Sequence, residues 1–309
     1  MNSLKRPLPA PIVGLSIGRR RAGRPPAEIY FLISAVFHYL GPSFAVLLFA
    51  RVDVLGVAWL RIASAAAVFA AWRRPWRAWA RLDRPGRLLL VEWGGVLGVM
   101  NACFYVAISR LPLSSVAAIE FVPVIALAAG GARTRRNLFA IGLAVPGVYL
   151  LTDVRLAGAP VGFGFAFANA GLFARYIVLA DRVAKHPEIG GIDGLAGAML
   201  VATAVITPLG GAQAAPVLLQ PVVLLAGIGV GVCSSVIPYV TDQLAMARLA
   251  RSTYALMMSL LPAIAAVIGV AVLGQVPSTI ELAGVALVVA GVGVHRPATS
   301  VGVGVGGPE

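Results

Sequence analysis

Ten apolar runs, most of them about as long as a bilayer core is thick, divide residues 29–294 and require most of this chain to fold in lipid. A helix rises about 1.5 Å per residue, so roughly 20 apolar residues cross about 30 Å of hydrocarbon. Charges, Gly and Pro place the runs at about 29–49, 54–72, 88–109, 113–131 and 137–152, then at 160–180, 192–211, 223–247, 252–273 and 280–294. Composition agrees: 59% of residues are hydrophobic and 12% charged, against roughly 45–50% and 25% in soluble domains. Because lipid leaves no backbone group to water, the expected fold is an all-α integral membrane protein of ten transmembrane helices.

The 25 Lys and Arg residues form no continuous basic face, which excludes nucleic acid as a partner despite the net charge of +13. Twenty of them alternate with the runs on one side: the N-terminal arm, then Arg73, Arg74, Arg77, Arg81, Arg84 and Arg87, then Arg133, Arg135 and Arg136, then Arg182 and Lys185, then Arg248, Arg251 and Arg296. The other side holds Arg51, Arg110 and Arg155. Short loops rich in Lys and Arg stay cytoplasmic, so both termini are expected inside. Residues 1–27 read as a basic cytoplasmic arm, not a signal peptide, and the Gly and Val alternation of residues 297–309 reads as a disordered tail.

The chain resembles itself at a constant offset of 138 residues, which pairs Ala107 with Ala245, Arg110 with Arg248, Leu111 with Leu249, Ser114 with Ser252 and Ala117 with Ala255. Two five-helix units are therefore expected, at residues 28–155 and 156–296. An odd number of helices per unit forces the second copy into the membrane upside down, giving two inverted repeats, a plan found in many secondary transporters. Gly94-x-x-x-Gly98 and Gly227-x-x-x-Gly231 mark close helix approaches.

Family-level motifs lie along residues 30–294. They are Met100, Asn101, Phe104 and Tyr105; Glu120 with Phe121; Pro238 with Tyr239; and Arg248-Leu249 followed by Met258-Ser259, Pro262-Ala263 and Ala265-Ala266-Val267. On these residues the chain resembles the bacterial inner-membrane threonine and homoserine exporters of the drug/metabolite transporter superfamily, built from two EamA domains. The resemblance implies export of amino acids or related small metabolites, driven by protons instead of ATP. Leu260 and Leu261 stand where the family pattern has an acid, and Gly274-Gln275 where many relatives read Gly-Glu.

An ionisable side chain inside a bilayer costs about 2.5–3.5 kcal/mol on insertion scales, so each one that persists is a functional candidate. Glu120, eight residues into the fourth run, suits a group that loads and releases protons. Arg61, eight residues into the second, needs a carboxylate, carbonyls or a wet cavity, and its fork suits a substrate carboxylate. Asp242 is a second candidate proton or amine site. Asn101, Tyr105, Tyr239, Ser259 and Asn169 are the uncharged groups that could orient a zwitterion. Pro123 and Pro262, in the fourth helix of each unit, are expected kinks along the transport path. Arg175 and Glu92 read as interfacial, and His38 as a hydrogen-bonded core residue. Cys103 and Cys233 read as small buried hydrophobes.

No Gly-x-x-x-x-Gly-Lys-Ser/Thr loop exists, which excludes an ATP pump in this chain. His-Glu-x-x-His and Cys-x-x-Cys are absent too, and the Gly-x-Ser-x-Gly match at Gly14–Gly18 falls in the basic arm, outside any apolar run, so an enzyme is not expected. The leading expectation is a proton-coupled amino-acid exporter working by alternating access. The alternatives are a broad drug/metabolite exporter and, behind it, a membrane scaffold or enzyme. Expected partners are a small-molecule substrate, protons and membrane lipid, with a homodimer left open and no cofactor or metal.

Overall fold

The computed structural model describes residues 26–131, 134–153, 159–184, 186, 188–189, 191–246, 257 and 260–294, and among these there is no strand. The helices are α1 (Ala27–Leu48), α2 (Val54–Arg73), α3 (Pro75–Arg81), α4 (Arg84–Ile108), α5 (Leu113–Gly131) and α6 (Arg135–Asp153). They continue with α7 (Pro160–Ala184), α8 (Gly191–Ile206), α9 (Pro221–Gly231), α10 (Ile237–Met246), α11 (Leu261–Leu273) and α12 (Thr279–Val294). A π turn at Thr207–Gly211 extends α8, and another at Val232–Val236 joins α9 to α10 in one broken rod.

Local chemistry sets several ends. Asp83 Oδ1 accepts from Gly86 N at 2.8 Å and caps α4. Ser278 and Glu281 form a reciprocal capping box at α12: Glu281 N donates to Ser278 Oγ at 3.2 Å, and Ser278 N donates to Glu281 Oε2 at 2.8 Å. Gly274, at φ 63°, closes α11 in the left-handed region, and Gln275 N then reaches back to Gly269 O at 3.1 Å. The short α3 was not foreseen; Arg74, at φ 50°, turns the chain into it from α2.

Every expected run lies on helix where it is described, but the helices are not all alike. Six stretches are long and apolar enough to cross a membrane: Ala27–Leu48, Val54–Arg73, Arg84–Ile108, Pro160–Ala180, Gly191–Leu219 and Pro221–Asp242. Further apolar stretches among the described residues are Leu113–Pro123 on α5, Leu138–Leu150 on α6, Leu261–Leu273 on α11 and Thr279–Gly291 on α12.

The helices that carry these four stretches pack together, α12 along α6 and α11 against α5. The long ones interlock around them: α4 lies on α7 and α8, α1 on α10 and α11, and α2 on α8 and α9. Leu47, Leu138, Phe139, Leu225 and Val267 are exposed on the outside of the bundle, as lipid-facing side chains are.

Both small-residue motifs mark close approaches, as expected. A Cβ built on Gly94 would stand 2.5 Å from Ala198 O and from Val201 Cβ, and one on Gly231 would stand 1.9 Å from Ser64 Oγ and 2.6 Å from Arg61 O. Gly95, beside Gly94, has nothing within 4 Å. Gly94→Ala and Gly231→Ala are therefore expected to destabilise the detergent-purified protein by about 1–3 kcal/mol, the usual cost of overpacking. Gly95→Ala should lie within about 0.5 kcal/mol of wild type when thermal unfolding is followed by circular dichroism.

Candidate functional site

Among the described residues one guanidinium is buried inside the bundle, and the break in the α9–α10 rod receives it. Arg61 sits midway along α2, only 5% exposed. The π turn at 232–236 widens the helix by one residue, and π turns release backbone groups from the regular ladder. Arg61 Nη2 donates to Ser234 O at 3.1 Å and Arg61 Nε to Ser235 Oγ at 3.0 Å. Its carbon Cζ lies 5.5 Å from the centroid of the Tyr105 ring, at cation–π distance. Gly231 makes this possible, because its missing side chain lets α9 press onto α2 at Arg61 and Ser64. Among the described residues no carboxylate lies within 4.0 Å of Arg61. Two of the five guanidinium N–H groups are used, and three remain.

Glu120 stands on α5 and is also 5% exposed. Asn169 on α7, fully buried, donates from Nδ2 to Glu120 Oε1 at 3.2 Å. Pro123 lies within the same helix and has no N–H to give to the Ile119 carbonyl, so the backbone beside Glu120 is partly released as well.

Both charged groups line a single cavity. Its wall comprises His38 and Pro42 from α1, Arg61, then Met100, Asn101 and Phe104 from α4, Glu120, then Asn169, Phe173 and Tyr176 from α7, and Tyr239 from α10. It offers about 40 Å³ to water centres, enough for a water or two and well short of the 300–1,000 Å³ of an open ligand site. In this conformation the cavity is contracted. Asn101 turns one amide hydrogen back to Leu97 O at 2.8 Å, and Phe173 stacks on Tyr176 with centroids 6.2 Å apart. A larger pocket of about 430 Å³ lies one helical turn away along α1 and α4, between Val46, the 108–112 connection and the 275–277 turn. Gln275 Oε1 accepts from Leu113 N there at 3.1 Å, tying that turn to the start of α5.

The expected residues thus divide. Glu120, Arg61, Asn101, Asn169 and Tyr239 share the cavity, and Tyr105 lies buried against Arg61. Asp242 does not line it, although it is within electrostatic reach of Tyr239. Ser259 lies outside the described residues. Pro262 stands in the first turn of α11, and most of the stretch before it, where a kink would be read, lies outside them too. Arg175 and Glu92 form an ion pair with both side chains exposed.

His38, read from sequence as a core residue, is part of the cavity wall, packed edge-on to Tyr39 at 5.2 Å. Phe173 and Tyr176 were missed because an aromatic at helical spacing looks the same facing lipid or substrate. Among the described residues no group of three His, Cys, Asp or Glu side chains could hold a metal.

The EamA-like transporter family model matches residues 160–295. The threonine/homoserine exporter RhtA of Salmonella typhimurium strain SL1344 is 33% identical over 258 residues, 81% of this chain and 84% of the relative. RhtA of Escherichia coli strain K12 is 32% identical over 254 residues, with the same coverage. A solved crystal structure aligns with TM-score 0.56 over 86% of this chain and 96% of its own, at 19% identity, which is a likeness of fold. The chain is a multi-pass membrane protein that belongs to the EamA-like transporter family, a family of transporters and not of enzymes.

Proposed function

We propose that this protein is a secondary active transporter that exports amino acids of the threonine and homoserine kind from a bacterial cytoplasm in exchange for protons. The observation that carries the reading is Arg61, a buried guanidinium with no carboxylate partner among the described residues, lining one contracted cavity with Glu120. A charge held in that position calls for an anion, and a guanidinium fork matches a carboxylate in two hydrogen bonds. Glu120 supplies the opposite sign for an ammonium group or a proton. A zwitterion satisfies both. The relatives that the chain matches over most of its length are named threonine/homoserine exporters, which supports the cargo class.

The packing supports ten spans in two inverted units, residues 28–155 and 156–296. Let the five apolar helices of each unit be paired in order, α1 with α7 and α2 with α8, α4 with the α9–α10 rod, α5 with α11 and α6 with α12. Under that exchange the α1 contact with α10 becomes the α7 contact with α4, and the α1 contact with α11 becomes the α7 contact with α5; both members of each pair exist. The self-paired contacts α2 with α8, α5 with α11 and α6 with α12 exist too. A cavity walled by both units, at helices broken by π turns and prolines, is where a transporter built of repeats binds its cargo. The Lys and Arg bias places both termini in the cytoplasm.

Alternating access then works as follows. With Glu120 deprotonated, the zwitterion sits with its carboxylate on Arg61 and its ammonium on Glu120, and the cavity closes. Rocking opens the outer side, a proton from outside neutralises Glu120, and the ammonium loses its partner. The protonated, empty cavity returns and gives its proton to the cytoplasm.

A second reading, a broad exporter of drugs and other metabolites, rests on the aromatic wall of Phe104, Phe173, Tyr176 and Tyr239; flat cations stack on such rings.

In proteoliposomes a proton gradient should drive flux of labelled threonine or homoserine. Glu120→Gln is expected to abolish the gradient-driven component; if driven flux persists unchanged, the coupling assignment is wrong. Arg61→Lys keeps the charge and loses the fork, and should weaken counterflow of amino acids by about tenfold or more. A panel that includes aromatic cations separates the two readings, since amino-acid export requires that these fail to compete with threonine.

A further inference from the structure

Asn169, a residue of the cavity wall, carries an unclaimed hydrogen-bond acceptor. Its Nδ2 donates to Glu120 Oε1 at 3.2 Å, which fixes the amide plane and turns Oδ1 the other way. Oδ1 is buried without a hydrogen-bond partner, although the side chain lines the cavity. A buried acceptor left unmade in this way normally costs about 1–3 kcal/mol. Among the buried polar side-chain atoms left without a partner in the described residues, Asn169 Oδ1 belongs to a residue of the cavity wall.

The charged ends of a zwitterion are already assigned, the carboxylate to Arg61 and the ammonium to Glu120. An uncharged amide oxygen next to Glu120 suits an uncharged donor. We propose that Asn169 Oδ1 accepts a hydrogen bond from the side-chain hydroxyl of the cargo, making Asn169 the residue that selects hydroxylated amino acids over their apolar isosteres. The proposal rests on the amino-acid export reading above. It goes beyond that reading by assigning the hydroxyl to one atom and requiring the cargo to be the donor. A site built to bond a hydroxyl rejects the analogue without one far more strongly than an apolar pocket rejects an extra methylene, because rejection leaves a buried polar atom unpaired. Asn169 has a second duty, holding Glu120, so a loss of rate alone would not separate selection from positioning. The ratio between cargoes does.

The test is counterflow in proteoliposomes loaded with labelled threonine, with threonine, valine and O-methylthreonine as competitors. Valine replaces the hydroxyl by a methyl group, and O-methylthreonine keeps the oxygen but cannot donate. Wild type is expected to prefer threonine to both by on the order of tenfold. Asn169→Asp keeps an oxygen at the Oδ1 position and should retain the preference over valine, whereas Asn169→Leu should bring threonine and valine within about twofold of each other. If O-methylthreonine competes as well as threonine in wild type, or if Asn169→Leu lowers both cargoes while keeping their ratio, Asn169 does not read the hydroxyl. The wild-type arm needs no variant to fold, so it decides the matter even where Asn169→Leu does not insert. Equal exchange of all three cargoes overturns this assignment and leaves amino-acid export standing; exchange of none overturns amino-acid export itself.

Discussion

The burial of Arg61 organises the centre of this protein. A guanidinium cannot shed its proton, so the fold must supply it with oxygen atoms far from water. It does so by breaking its own regularity. At the π turn of 232–236 the Ser234 carbonyl and the Ser235 hydroxyl turn to Arg61. Gly231, with no side chain, permits the approach, and the Tyr105 ring supplies an electron-rich surface on a second helix. Three helical segments, α2, α4 and the α9–α10 rod, are thereby committed to one charged group.

What the protein leaves undone around that charge is as informative as what it does. Arg61 keeps spare donors and Asn169 a spare acceptor, and Glu120 is held by one neutral amide, not by a cation. A purely structural polar network tends towards full satisfaction, since half-made networks are expensive in a low dielectric. Such a network in a cavity of about 40 Å³ describes a site waiting for a polar ligand and for the helices to separate enough to admit it. The larger pocket lies one turn away, and at its edge Gln275 accepts from Leu113 N. Gln275 is an amide, so this tie does not change with protonation.

Sequence determined much of this by itself. Hydropathy and the 1.5 Å rise located the helices, because in lipid the backbone has no alternative to internal hydrogen bonds. The cost of an intramembrane charge singled out Arg61 and Glu120, since a chain does not keep such groups idle. The two Gly-x-x-x-Gly motifs told where helices would touch, and the structure puts Ala198, Val201 and Ser64 within van der Waals reach of them.

Only tertiary structure decided the rest. Residues as far apart as Arg61 and Ser235, or Glu120 and Asn169, meet because helices pack side by side, and no local pattern records which faces turn inward. That is why His38 reads as core from sequence and lies in the cavity wall, why Phe173 and Tyr176 give no signal at all, and why Asp242, equally acidic on paper, stands outside the cavity. Composition and periodicity state that a charge must be compensated. Which atoms compensate it, and which are left open for a ligand, depends on the register of neighbouring helices, which only the packed bundle fixes.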